Sequence, residues 1–230
     1  MVIIFRIKFF AELFFLHIAC CDVLKQTVFP VLQILLHISE VGMNIEKNCA
    51  FTGHRPNSFI FGYNEEHPDC IRLKQRLYQE IENMFAKGVN VFISGGALGV
   101  DMWAMEAVLE LKKKEPSVRL VAAVPFRGQE KRWRAEQIAR YEGLLAQCDK
   151  VACFSEVYHS RCYHDRNRMM VDNAANLIAV YDGKGEGGTA YTVNYARGLG
   201  RNIVIIDPNR RVEEKFFKNF FEKVFTKLKS

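Results

Sequence analysis

The chain has 230 residues, 49% hydrophobic and 25% charged, a composition that excludes a disordered or fibrous chain and a length that allows one generous domain to bury most of its surface without staples. Seven cysteines, an odd number with no CxxC pair, argue against a secreted disulfide framework and a zinc ribbon, and point to a reducing cytoplasm. Thirty-two basic against 26 acidic residues give a net charge of +6, a mild excess that permits an anionic ligand without demanding nucleic acid.

Residues 1–42 are strongly apolar and carry three basic and three acidic residues, so the whole net charge lies after them. A membrane-spanning helix needs about 20 apolar residues in a row. Glu12, His17, Asp22 and Lys25 interrupt the first run, and Pro30 falls inside the second, residues 26–39. Stable membrane insertion is therefore not expected. Arg6 and Lys8 before an apolar core have the order of a signal peptide, but no small-x-small cleavage site follows cleanly. The reading adopted is that Met43 is the true start and that residues 1–42 are an extension outside the fold. A membrane-associating arm and a signal peptide are the alternatives. Residues 43–230 then form one domain.

From Asn48 onward, strands and helices alternate. Cys49-Ala50-Phe51 is a short apolar run stopped by Thr52-Gly53. Ile71, Leu73, Leu77, Ile81, Met84 and Phe85 fall near helical spacing and predict a helix over 69–87, ended by Gly88. A strand over 89–93, a Ser94-Gly95-Gly96 turn and a helix over 100–114 follow, the last closed by Pro116. The cycle continues with a strand over 119–124, a helix over 133–147, a strand over 150–154, a helix over 163–175 and a strand over 177–181. Gly187-Gly188-Thr189 opens a helix that Gly198 or Gly200 ends, 203–206 is a strand, and 211–229 reads as an amphipathic helix. Short continuous apolar strands separated by helices imply an α/β fold, a doubly wound, mostly parallel sheet covered on both faces, with a Rossmann-like layer order.

In such sheets ligands bind beyond the carboxyl ends of the strands. Those ends are Thr52 to Arg55, Ser94 to Gly96, Pro125 to Arg127, Ser155, and Asp182 to Thr189. Glycine lets a backbone approach a ligand closely, and a following helix start offers free N–H groups to phosphate. Two glycine turns have this form, S-G-G-A-L-G-V-D at 94–101 and E-G-G-T at 186–189, with Arg55, Arg127 and Arg166 available as cations. Neither turn fits GxGxxG or GxxxxGK[ST], which disfavours a dinucleotide dehydrogenase and a P-loop ATPase. Asp101, in a helix first turn, either satisfies local N–H groups or accepts from ribose hydroxyls. His159, Cys162 and His164 do not match a usual ligand spacing, so no metal is expected. His54 is placed to meet a ligand but has no visible carboxylate orienter. Trp103 reads as core, and Trp133 as a candidate cover for the pocket mouth.

The motifs T-G-H-R-P at 52–56, I-S-G-G-A-L-G-V-D-M-W-A at 93–104, V-P-F at 124–126 with R-W at 132–133, R-N-R-M-M-V-D at 166–172, and L-I-A-V-Y-D-G with G-G-T-A at 177–190 resemble the SLOG superfamily, within it the YpsA-like branch. The resemblance runs from about 48 to 208. It implies a Rossmann-like domain that binds nucleotides or nucleotide-derived, ADP-ribose-like ligands as a sensor or regulator. With the strand ends it gives a candidate binding set of Thr52, Gly53, His54, Arg55, Ser94, Gly95, Gly96, Gly99, Asp101, Pro125, Arg166, Asn167, Gly187, Gly188 and Thr189. No cofactor is required, and a homodimer is the expected assembly.

Two relatives imply other activities. In LOG-type phosphoribohydrolases, H-E-R-K is partly resembled by Tyr163-His164-Asp165-Arg166-Asn167, which sets Arg166 on their catalytic arginine. Their P-G-G-x-G-T-x-E-E motif ends in a catalytic glutamate, whereas Thr189 is followed here by Ala190, Tyr191 and Thr192. An oxocarbenium-like transition state needs a nearby carboxylate, so hydrolysis of an N-glycosidic bond is doubtful. The DNA-processing protein DprA carries S-G-x-A-x-G-I-D-x-x-A and R-N-R, resembled by residues 94–104 and 166–168, which implies single-stranded DNA as an alternative partner.

Overall fold

The computed structural model describes residues 44–210. The extension 1–42, the Met43 start and the 211–229 helix lie outside the described residues. Six parallel strands form one sheet: β1 Asn48–Gly53, β2 Val91–Ser94, β3 Arg119–Val124, β4 Lys150–Cys153, β5 Asn176–Val180 and β6 Asn202–Ile206, in the order β4-β3-β2-β1-β5-β6. Between them run α1 Pro68–Ala86, α2 Val100–Lys114, α3 Ala135–Leu145, α4 Cys162–Asp172 and α5 Gly187–Gly198. This is the doubly wound α/β layer that the apolar runs imply. Among the described residues no helix is long and apolar enough to cross a membrane.

Both faces of the sheet are buried, and the period of two along each strand divides the core. Cys49, Phe51, Phe92, Leu120 and Ile178 point toward α1, α2 and α3. Ala50, Ile93, Val121, Ala123, Leu177 and Ala179 point toward α4 and α5. Each helix presents one apolar stripe to its layer. In α1 the stripe is Cys70, Leu73, Leu77, Ile81 and Met84, all buried.

Local chemistry sets the ends of the elements. His67 caps α1, its Nδ1 accepting the Asp69 N–H at 3.1 Å, with Pro68 in the first turn. Val89, expected to open β2, donates instead to the Met84 carbonyl and closes the end of α1. α3 begins at Ala135 rather than 133, because the 128–133 segment turns on itself through Lys131 N–H to Gly128 O and Trp133 N–H to Glu130 O. The Arg134 N–H then donates to Gln137 Oε1. Asn173 ends α4 early by turning its side chain back to the Met169 carbonyl.

Crossovers carry α1, α2 and α3 over one face as the chain steps from β1 out to the β4 edge. α4 then returns beneath the other face and inserts β5 beside β1, pairing Gly53 with Val180. Strand order therefore reverses between β1 and β5. The segments leaving those two strands diverge, and a crevice opens at their carboxyl ends.

Candidate functional site

A cavity of about 830 Å³ occupies that crevice. β1 supplies Thr52, Gly53, His54 and Arg55 as it leaves the sheet. α4 supplies Tyr163, Arg166 and Asn167, the last held across to Thr192 of α5 at 3.0 Å. The β5–α5 connection supplies Asp182, Lys184, Gly185 and Glu186, and α5 opens onto the cavity with Gly187, Gly188 and Thr189. The first N–H groups of an α-helix have no intrahelical partner. Here no side chain caps them.

From the 94–101 turn the cavity takes Ala97 and Asp101. Ser94, Gly95, Gly96 and Gly99 do not line it, nor does Pro125, which is buried. Ser94 is fully buried, with its hydroxyl donating to the Asp101 carbonyl at 2.9 Å and accepting from the Gly96 N–H. The hollow over Gly95 and Gly96 is filled by protein. A Cβ at Gly95 would lie 1.0 Å from Arg166 Nη1, and one at Gly96 would lie 2.9 Å from the Tyr141 ring. Gly95 is thus the place where the Arg166 guanidinium occupies the space a side chain would need. The closest approach there is by Arg166, and Arg166 in turn faces the cavity.

Arg166 is a buried and poorly satisfied charge in this wall. It is 4% exposed, and its Nη1 meets Asp101 Oδ2 at 3.4 Å, longer than a good charge-assisted bond. Its Nε is buried without a hydrogen-bond partner among the described residues. Burial pushes the guanidinium pKa down, Asp101 offsets part of that, and the neighbouring Arg55 adds to it. Asp101 also accepts the Ala97 N–H at 3.3 Å. Arg55 lies over the Tyr163 ring at 5.9 Å.

His54 has the carboxylate partner that sequence reasoning missed. Its Nε2 is 3.1 Å from Asp182 Oδ1. Burial works to raise the Asp182 pKa, but the Lys184 N–H and His54 hold it below the usual carboxylate value. Ser58 lines the cavity without any sign in the sequence, while Asp182, Lys184 and Glu186, within the 182–189 strand end, and Tyr163, within the 163–167 motif, line it although none was in the candidate binding set. The signal for Asp182 was its place just after an apolar strand; which histidine it meets depends on the β1–β5 pairing. Trp133 packs against Tyr141 with ring centroids 5.2 Å apart and does not line the cavity. Trp103 is core, its indole N–H donating to Glu65 at 2.8 Å. Arg127 is exposed and paired with Glu156. Among the described residues no group of three or more His, Cys, Asp or Glu side chains could hold a metal ion.

Among known proteins, a UPF0398 protein of Bacillus pumilus (strain SAFR-032) is 29% identical over 77% of this chain and 100% of its own. The SPbeta prophage-derived protein YoqJ of Bacillus subtilis (strain 168) is 32% identical over 64% of this chain and 95% of its own. Among solved structures, DNA processing protein A of Helicobacter pylori, whose structure concerns its single-stranded DNA binding mode, superposes with a TM-score of 0.48 at 19% identity, covering 72% of this chain and 66% of that one. DprA of Streptococcus pneumoniae superposes with a TM-score of 0.46 at 16% identity, and the match spans 77% of this chain and 56% of that one. The YpsA family model, described as the YspA SLOG family, matches residues 49–206, a span that includes every residue lining the cavity, and the chain belongs to that family.

Proposed function

We propose that this protein binds a phosphate-bearing nucleotide or nucleotide-derived small molecule in the β1–β5 crevice, as a sensor or regulator. The observation that carries the reading is Arg166, a buried guanidinium with an unpartnered Nε and one long carboxylate contact, set in a cavity wall beside the uncapped start of α5. A buried donor left unsatisfied costs about 1–3 kcal/mol, more when charged. An anion between Arg166 and the α5 N–H groups removes that cost and gains from the helix dipole.

The other lining charges favour a small ligand with hydroxyls over a polyanion. Asp101, Asp182 and Glu186 face the cavity along with Arg55, Arg166 and Lys184. Three carboxylates repel a continuous phosphate backbone but accept hydrogen bonds from ribose hydroxyls. Asp101, beside the anion-holding arginine, is the natural acceptor. The test is calorimetric titration and thermal melting with AMP, ADP and ADP-ribose, and with a single-stranded oligonucleotide. A ligand at 100 times its dissociation constant stabilises the fold by about 2.7 kcal/mol. No stabilisation by any nucleotide at millimolar concentration sinks the reading. Tight oligonucleotide binding with a steep salt dependence, and no mononucleotide binding, puts single-stranded DNA in its place.

A further inference from the structure

The cavity wall carries a second constellation that anion binding does not use. Gly53 and Val180 are paired in register, so His54 and Asp182 leave the sheet side by side. His54 Nε2 and Asp182 Oδ1 are 3.1 Å apart, with the side chains 17% and 13% exposed. Asp182 is itself fixed, accepting the Lys184 N–H at 3.1 Å and facing Lys184 Nζ at 3.4 Å. The imidazole packs against Phe59 and Tyr181, ring centroids 6.2 and 6.0 Å away. A neutral histidine whose Nε2 faces a carboxylate carries its proton there and presents the Nδ1 lone pair. Nδ1 has no hydrogen-bond partner among the described residues. A carboxylate beside an anion pocket weakens anion binding, but it is what orients an imidazole for proton transfer.

We propose that the cavity is catalytic, with His54, oriented by Asp182, taking a proton from a water that attacks one phosphorus of a nucleotide-linked diphosphate held by Arg166 and the start of α5. The proposal rests on the nucleotide-binding reading above. The water oxygen bonds to phosphorus, the bridging P–O bond breaks, and its electron pair leaves on the bridging oxygen. The water proton passes to His54 Nδ1 and then to solvent. Two phosphate monoesters result, and water is the sole co-reactant. The leaving group follows from the wall. Among the described residues His54 is the one histidine lining the cavity, and none of them places a second imidazole there to protonate an alkoxide. A phosphate monoester departs as a stable anion without a proton, whereas an alcohol does not. A diphosphate linkage is therefore favoured over a simple phosphate ester. In this scheme His54 is the catalytic residue and Asp182 a positioning residue.

The test uses the full chain with ADP-ribose as substrate probe and AMP as binding probe, following AMP release by chromatography in ¹⁸O-labelled water. The wild type is expected to release AMP and to place the label in a product phosphate. General-base catalysis contributes about 10²–10⁴ in rate. His54→Gln should lower kcat by about 100-fold or more while the variant still binds AMP and melts as a folded protein, a pattern that simple misfolding does not give. Asp182→Asn should lower kcat with KM nearly unchanged, and added imidazole should restore part of the rate of His54→Ala. AMP binding without any cleavage of ADP-ribose overturns the catalytic proposal and leaves the binding reading standing. Cleavage undiminished in His54→Gln overturns it as well. Failure of both AMP and ADP-ribose to bind overturns the two together.

Discussion

Replacing Arg166 by methionine separates binding from folding. Breaking a well-made buried ion pair costs about 3–5 kcal/mol, because a charge is stranded. The Arg166–Asp101 pair is not well made. Its contact is 3.4 Å, Nε is unpartnered, and burial already works against the guanidinium charge. Methionine fills much of the same volume without a charge. Asp101, left behind, still accepts the Ala97 N–H at 3.3 Å and sits in the first turn of α2, where the helix dipole favours a carboxylate by about 0.3–1 kcal/mol. The expected cost of Arg166→Met is about 1 kcal/mol, a fall of about 2–4 °C in Tm for a domain of this size. Loss of a hydrogen bond to a charged phosphate is larger, about 1.5–3 kcal/mol, which weakens AMP by about 10- to 150-fold. Melting curves with and without AMP resolve both. At a concentration 100 times the wild-type dissociation constant, the wild type gains about 2.7 kcal/mol, and a variant bound 30-fold more weakly gains about 0.9 kcal/mol. A variant at least 3 kcal/mol less stable without ligand, with AMP affinity unchanged, refutes the reasoning and makes Arg166 a structural cation.

Three further outcomes follow from the same geometry. Gly95→Ala places a Cβ 1.0 Å from Arg166 Nη1 and 2.6 Å from Asp101 Oδ2, so the guanidinium must leave its seat. Calorimetry should show AMP weakened at least about 10-fold, and denaturant melts a loss of about 1–3 kcal/mol. At Gly188 a Cβ meets nothing within 4 Å. Gly188→Asp should therefore leave stability unchanged or raise it by about 0.5 kcal/mol, since a first-turn carboxylate suits the dipole, while like-charge repulsion abolishes AMP binding. Glu65 is half-buried, and burial raises its pKa, but Arg140, Lys74 and Trp103 outweigh that and hold it at about 2. The group is depressed in the folded state, so its stabilisation is present above the usual value of 4.5 and is lost as pH falls toward 2. Urea melts of Glu65→Gln should show a deficit of about 2 kcal/mol at pH 7, after allowance for solvent screening, shrinking between pH 4.5 and 2.

Much of the fold is legible one segment at a time. The α2 boundaries follow from a glycine start, a helical stripe and Pro116, and β3 from an uninterrupted apolar run. Each is a local property, so residue spacing alone reports it. The strand-end rule likewise brought out His54 and the α5 glycines, which share one cavity with Arg166. The rest needed long-range pairing. His54 and Asp182 are 128 residues apart and meet because β5 inserts beside β1, and no periodicity encodes that choice of neighbour. Gly95 and Arg166 also meet only in three dimensions, where the missing Cβ makes room for a guanidinium. The amino-acid order determined the elements, the parallel sheet and the edge at which the cavity opens. Tertiary structure decided which charges face one another there, because electrostatic pairing depends on distance through space and not along the chain.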